Sequence, residues 1–546
     1  MSKKINTIEE IEKDMIKNAE QGNVKYQYHL GVFYRERGNN AKAMHWWKKA
    51  AKQNHVESWH NLGVLYNEMG DNALAIYWWK KAAEIGQIDS QHNLGVLHYD
   101  AMNTEKAIEW WEKSAEKGYM KSQYNLGMLY KDTGDATKAI KWWKMSAERG
   151  CPNSQFNLGQ LYNERGSTAQ AMNWWTKAAD HGSAEAQYNL GTAHKNTGNL
   201  AKAIKFWQLA ADQSFPQAQY SLGVYYNDIG NTAQAMKWWE KSAAQGLVDA
   251  QYNLGLLYHK MGKTGHASKW WGHAAHQGHA DSQFNSGVLH EKDGRKFIAL
   301  ELYMRAALQG HVKAQFNLGV LYETLGKKTE SIKWWKQAAE QGHIVAQFNL
   351  GILHKNIDES ESIYWYTKSA EQGYVEAQES LGQLYSKKGE NDLAIKWYNQ
   401  AAEQGSFGAQ YNLGILYVKS GDYVQAIEWY TKAANDVGLL AQKNLVDLYD
   451  KIGNFAKAIE WCTMAAEQGD VDSQRNLCLL YYKAGENSQA IKCWEKAAEN
   501  GDVGASDNLS KLYKEIENNQ QVNEPNDEVV FMEVGLVWNN ESHSMS

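Results

Sequence analysis

The chain has 546 residues, a formal net charge of −6 and no long basic run, so the electrostatic footprint of a nucleic-acid binder is missing. Its 24 Trp against 3 Pro suit packed helices joined by small or glycine turns, and argue against collagen-like or wholly disordered chains. No stretch approaches roughly 18 consecutive apolar residues, and the opening MSKKINTIEEIEKDM lacks an apolar core. Neither a membrane span nor a secretory leader is therefore expected, and a cytoplasmic location is.

Taken in order, residues 7–20 match the second half of a unit that recurs through the rest of the chain, with Asp14 and Met15 where later copies carry Trp-Trp. Residues 1–22 read as a lone capping helix, as a repeat array requires. A marker, usually the glycine of Asn-Leu-Gly, then recurs at Gly31, Gly63, Gly95, Gly127, Gly159, Gly191, Gly223, Gly255, Gly287, Gly319, Gly351, Gly382, Gly414, Val446, Cys478 and Ser510. Every step is 32 residues except the 31 between Gly351 and Gly382. Within a unit, Leu62, Gly63, Leu65 and Tyr66 form the buried stripe of one amphipathic helix, and Ala75, Ile76, Trp78, Trp79, Ala82 and Ala83 that of a second. Glycines seven residues after the marker (Gly38, Gly70, Gly134) and after the second helix (Gly86, Gly118, Gly150) sit where a helix C-terminus calls for a left-handed residue. The predicted fold class is all-α, an α-solenoid of about 15 to 16 helix-turn-helix repeats.

The copies differ along the chain. Residues 23–286 carry mostly Trp-Trp in the second helix, and residues 361–514 carry Trp-Tyr at first. Between them, residues 287–360 are irregular, following Ser286 with Leu302-Tyr303 and a deletion near Asn356, and read as a seam that bends or loosens the array. Residues 515–546 contain seven acidic residues and no Lys or Arg. They read as a disordered acidic linker leading into VVFMEVGLVW, residues 529–538, where Val529, Phe531, Met532, Leu536 and Trp538 would form a docking motif or a lid. Cys151, Cys462, Cys478 and Cys493 have no CxxC spacing, and are expected as reduced thiols.

The pattern AQ-aromatic-NLG-x-L-Y, followed by AI-x-W-aromatic-x-KAAEQG, resembles the tetratricopeptide (TPR) superfamily and most closely its SEL-one-like (SLR) branch, over residues 7 to about 514. The short Gly70-Asp71 loop is of TPR form and the Glu-Gln-Gly connection of SLR form, which together give a period shorter than is usual in either. The resemblance implies a right-handed solenoid whose first helices line a concave groove for an extended or helical segment of a partner protein.

That resemblance places an Asn two residues before the marker in the groove: Asn61, Asn93, Asn125, Asn157, Asn189, Asn253, Asn285, Asn317, Asn349, Asn412, Asn444 and Asn476. Asn is a mediocre helix former, and its amide suits equally a peptide backbone in the groove or the neighbouring repeat. One residue earlier stand mostly aromatics such as Tyr28, His60 and His92, and one after the marker mostly Val or Ile. Burial against the next first helix is favoured for the aromatics. Five residues after the marker the charge changes sign: Glu36, Glu68, Asp100, Asp132, Glu164 and Asp228 give way to Lys260, Lys292, Lys387, Lys419, Lys451 and Lys483. By the resemblance this is the groove rim, acidic in the first half and basic in the second.

No catalytic motif is present, no cofactor or metal is expected, and the Trp pairs read as core. The expected function is a non-enzymatic protein-interaction scaffold, with the acidic tail as an internal competitor near Lys387, Lys419, Lys451 and Lys483. The alternatives are a nucleic-acid-binding solenoid, and a metal or enzyme centre at His259, His266, His273, His276, His279 and His290. The second of these lacks a carboxylate or Cys to complete a ligand shell.

Overall fold

The structure, a computed structural model, describes residues 2–434 and 438–522. The described residues form 32 α-helices and no strand. They belong to two compact units, Met1–Asp293 and Gly294–Ser546.

A single repeat shows why the sequence folds this way. The first helix Met120–Asp132 ends at Gly134, whose φ of +84° is the left-handed conformation that closes the turn without a Cβ penalty. Asp135 then caps the second helix Ala136–Glu148 by accepting from the Lys138 amide at 3.0 Å. Gly150 ends that helix in the same way, with φ +90°. In both helices the apolar stripe is buried: Leu126, Trp143 and Ala139 are at 0% exposure.

The marker glycine has a specific partner. A Cβ built on Gly127 would overlap the Trp143 indole, and the same holds for Gly63 with Trp79, Gly223 with Trp239 and Gly319 with Trp335. Each indole lies against the marker of its own repeat and donates its Nε1–H to the carbonyl three residues before it, as Trp143 does to Tyr124 at 3.1 Å and Trp79 to His60 at 3.0 Å. Glycine is thus required where the second helix presses a large ring against the first helix. One repeat has exchanged the volume: the marker is Val446, and the second aromatic is Cys462, both buried in one cluster.

The two glutamines of each unit form a buried relay. Gln315 donates to the Ala307 carbonyl at the end of the preceding second helix (3.2 Å), and Gln341 donates to Gln315 Oε1 (2.7 Å). The same pair recurs at Gln53–Gln27, Gln213–Gln187, Gln277–Gln251 and Gln404–Gln378. In the first case it gives the Ala307 carbonyl, which already accepts from the Gly310 amide at 3.0 Å, a second donor from the next repeat. Three repeats place Lys117, Arg149 and His181 where the second glutamine belongs, and there Gln91, Gln123 and Gln155 keep a buried Oε1 with no partner among the described residues. His181→Gln is expected to raise stability by about 0.5–1.5 kcal/mol by completing the bond to Gln155. Urea denaturation checks this, and an unchanged midpoint would show that the relay adds nothing.

Two expectations need correction. Cys478 and Cys493 are not reduced thiols; they form a disulfide with Cα atoms 5.3 Å apart, joining the two helices of one repeat. Both replace framework residues, so their spacing of 15 reflects the antiparallel return of the chain rather than a local motif. The linker does not begin at residue 515, because the last helix runs Val503–Val522. Leu512 at 2% exposure and half-buried Ile516 continue its apolar stripe, packed with the preceding pair. Residues 523–546, including Val529, Phe531, Met532, Leu536 and Trp538, lie outside the described residues. At the deletion, the helix Ile344–His354 is shortened to 11 residues and Asp358 caps the next by accepting from Ser360 and Glu361. The opening helix spans Ser2–Glu20.

Candidate interaction surface

The predicted Asn and charged residues all lie on first helices, and the structure divides the first-helix side chains by role. The aromatics three before the marker pack on the residue that caps the next first helix: Tyr28 on His55 (4.8 Å between centroids), Tyr252 on His279 (4.7 Å), Phe316 on His343 (4.4 Å) and Phe348 on Tyr374 (5.1 Å). They hold consecutive repeats together. His60 and His92, in the same position, each share a hydrogen bond with a serine of the next repeat, Ser90 and Ser122, at 2.9 Å.

Burial lowers the pKa of both histidines, that of His92 to about 4. The folded chain therefore keeps His92 neutral, whereas the unfolded chain takes up a proton near pH 6.5. Its contribution is complete above about 6.5 and is lost as pH falls from there toward about 4. We expect His92→Phe to flatten the pH dependence of stability across that interval by on the order of 2 kcal/mol. Parallel pH profiles of the two proteins would sink this prediction.

The Asn series lies between neighbouring first helices. Asn61, Asn93, Asn125, Asn157, Asn189, Asn253, Asn285, Asn317, Asn349, Asn412 and Asn444 are half-buried, and Asn476 is exposed. Several reach the preceding repeat: Asn157 donates to Met128 Sδ (3.2 Å), Asn189 to Gln160 Oε1 (3.1 Å), and Asn253 and Asn444 to Tyr220 and Tyr411 Oη (both 3.3 Å). Asn317 donates to Tyr303 Oη at 3.4 Å. Beside them runs an aliphatic row one residue after the marker. In it Val64, Val96, Val224 and Val320 are half-buried, while Leu256, Ile352 and Leu479 are 41%, 49% and 40% exposed.

The charged row is exposed throughout: Glu36, Glu68, Asp100, Asp132, Glu164 and Asp228, then Lys260, Lys292, Lys387, Lys419, Lys451 and Lys483. Part of it is internally matched. Arg35 pairs with Glu68, Lys131 with Glu164 at 3.3 Å, and Lys483 with Asp450 at 2.6 Å, each across 33 residues to the repeat before. Tyr482 donates to Glu515 at 2.5 Å in the same relation. Exposed pairs of this kind contribute little stability, but they remove Glu68, Glu164 and Lys483 from the charge offered to a partner. Asp100, Asp132 and Asp228 in the first unit, and Lys387 and Lys419 in the second, form no ion pair among the described residues.

The histidine run disperses. His259 leans on Trp271, His266 stacks on Tyr258, and His273 lies against Trp270. His279 caps its helix by accepting from Ser282 at 3.2 Å. Among the described residues no three His, Cys, Asp or Glu side chains are grouped to hold a metal. Near the C-terminus Lys443 is neutralised by Asp470 (3.2 Å) and Asp472 (3.4 Å), and Arg475 by Asp502 (2.7 Å), so neither cation is free for an anionic tail. Cys462 is inert: its thiol donates to the Ser473 carbonyl, and burial pushes its pKa up to about 12. No described helix is long and apolar enough to cross a membrane.

Comparison with known proteins agrees with this architecture. Sel1 repeats match residues 24–55, 88–119, 121–151, 152–183, 216–247, 248–279, 281–311, 312–343, 344–374 and 471–502, together more than half of the chain. The chain is a Sel1 repeat protein. Tetratricopeptide repeats match residues 56–85, 184–212, 380–438 and 411–473 of this Sel1 repeat protein. Among solved structures it is similar to c5321, a protective antigen of uropathogenic Escherichia coli strains with an SLR fold, at 25% identity and a TM-score of 0.54, covering 84% of this chain and 99% of that one. It is also similar to a Sel1 repeat protein from Oxalobacter formigenes at 26% identity, covering 52% of this chain and 91% of that one, with a TM-score of 0.43. No curated protein matches. Repeats of the Sel1 and tetratricopeptide families generally mediate protein–protein interaction and are typically not enzymes.

Proposed function

We propose that this Sel1 repeat protein is a non-enzymatic scaffold whose first-helix face binds an extended or helical segment of another protein. The observation that carries the reading is the pair of parallel rows on that face. In the first unit the aliphatic row, from Val64 and Val96 to Leu256, offers apolar contact, and the Asn amides beside it keep hydrogen-bonding capacity beyond their bonds to the neighbouring repeat. The unmatched charges add sign selectivity, with Asp100, Asp132 and Asp228 favouring a basic segment on the first unit. Leu256 is the position to test, because it is 41% exposed and lysine there removes apolar contact while a helix surface tolerates a long amphipathic side chain. Proteins captured by the native chain should be lost from Leu256→Lys at unchanged thermal stability. Retention of the same partners would reject this face.

A further inference from the structure

Cys151 occupies a position that holds an anion in another repeat. It is the N-cap of the first helix Pro152–Glu164. At the same register Asp470 caps the helix Val471–Lys483, and Ser473, three residues on, donates to it its hydroxyl at 2.6 Å and its amide at 2.9 Å. These two bonds hold the Asp470 carboxyl below the usual carboxylate range. The Cys151 repeat keeps the arrangement with sulfur in place of the carboxylate: Ser154 follows three residues later, and Pro152 has no N–H, so the Asn153 and Ser154 amides open the helix. Other repeats have alanine where Ser154 stands, as at Ala186, Ala218 and Ala250, all at 0% exposure. Ser154 is equally buried, yet its Oγ forms no hydrogen bond among the described residues and lies beside the Cys151 sulfur. In the preceding repeat the equivalent Ser122 is engaged by Ser114 at 2.5 Å and His92 at 2.9 Å. Here Ser146, the counterpart of Ser114, turns instead to the Met120 carbonyl at 3.2 Å. A buried hydroxyl without a partner is uncommon, and a thiolate at Cys151 supplies one. Burial raises the thiol's pKa, but the Ser154 and Ser146 hydroxyls and the Ser154 and Asn153 amides outweigh it, and the net shift is downward.

The surroundings select the reagent. Cys151 is partly exposed, between exposed Arg149 upstream and exposed Pro152 and Asn153 downstream. An open cleft of about 490 Å³ lies next to it, lined by Gly118, Tyr119, Met120, Lys121 and Arg149. Arg149 is two residues from the cysteine, and the Met120 carbonyl is held by Ser146, whose hydroxyl also neighbours the sulfur. No carboxylate lines the cleft. Arg149 donates to the Gly118 carbonyl, which leaves its charge unneutralised. Of the acids nearby, Glu148 pairs with Lys144 at 3.9 Å and Asp89 accepts from Gln87 at 3.2 Å. We propose that Cys151 is a modification site whose thiolate attacks the disulfide of a small acidic thiol compound, the reagent's carboxylates lying against Lys121 and Arg149. A Cys151–S–S–R mixed disulfide forms, the S–S electron pair of the reagent leaves with the expelled thiolate, and the cysteine proton goes to solvent. The reagent is itself the oxidant, and this holds whether or not the first-helix face binds a partner.

Glutathione disulfide, which is acidic, and cystamine, which is cationic, test the proposal on the full-length, disulfide-intact chain near neutral pH. Mass spectrometry of peptides reads the rate at each thiol. Glutathione disulfide is expected to modify Cys151 at least about tenfold faster than buried Cys462. Ser154→Ala should slow both reagents at least about threefold, because the thiolate loses a donor. Lys121→Gln/Arg149→Gln should slow glutathione disulfide at least about threefold, an effect that high salt erases, and leave cystamine unslowed. Ser154→Ala and Arg149→Gln install residues that other repeats carry at the same positions, such as Ala186 and Gln213, so the fold tolerates them. Comparable rates at Cys151 and Cys462 overturn the proposal, as does a rate that Ser154→Ala leaves unmoved. An unchanged glutathione disulfide rate in Lys121→Gln/Arg149→Gln, or equal slowing of both reagents there, also overturns it, because the cations would then recognise no anion.

Discussion

Gly127→Ala is expected to destabilise the first unit by about 1–3 kcal/mol, because the added methyl group meets the Trp143 ring rather than open space. Trp143→Cys alone should cost about 3–5 kcal/mol, as truncation of a fully buried Trp does. The informative variant is Gly127→Val/Trp143→Cys, which copies the Val446 and Cys462 pair already present in the chain. If the glycine exists to admit the ring, the double variant should lose less than the sum of Gly127→Val and Trp143→Cys by about 0.5–3 kcal/mol. A denaturant series giving strict additivity would mean that the two positions do not share one volume, and that Val446 and Cys462 coincide by chance.

The second large effect concerns the other exchanged repeat. Reducing the Cys478–Cys493 bridge, or replacing both cysteines by serine, is expected to remove about 3 kcal/mol, the value for a closed loop of 15 residues. In an array whose repeats touch only their neighbours, that loss stays local. It should appear as faster hydrogen exchange in Asn487–Glu499 and Val503–Val522, with the Met120–Asp132 helix of the first unit unchanged. Among the described side chains of that last pair only Ala490, Trp494, Ala505 and Leu512 are buried, so few other contacts hold it. Equal exchange in the oxidised and reduced chains would show that the bridge adds nothing to the fold.

Much of the architecture is legible along the chain because its causes are local. The 3.6-residue spacing of Leu62, Leu65 and Tyr66 builds a helix wherever it occurs, and a glycine such as Gly134 ends one because a left-handed residue is required there. The same logic did not extend to the partners. The recurring Asn divided evenly between two tasks on the page of the sequence, and contacts such as Asn253 to Tyr220, across 33 residues, show the neighbouring repeat as one of them. The acidic and basic rows read as two halves of a groove rim, and the structure adds that three of their members, Glu68, Glu164 and Lys483, are matched by Arg35, Lys131 and Asp450 one repeat away, a pairing across 33 residues that charge sign alone does not announce. The glutamines of AQ and EQG went unassigned, although their recurrence 26 residues apart, and its failure at Lys117, Arg149 and His181, carried the signal. The disulfide was missed for a related reason, since two cysteines replacing a glycine and a tryptophan of one repeat mark a substituted contact rather than a spacing motif.

By itself the sequence determined the repeating helix pair, its period, its turns and its buried stripes, since these follow from backbone conformation and apolar spacing within a few residues. Only the tertiary structure decided which side chain meets which across 16, 26 or 33 residues. Those pairings depend on where one helix comes to rest on the next, and separate the residues that hold the array together from those left at its surface for another molecule.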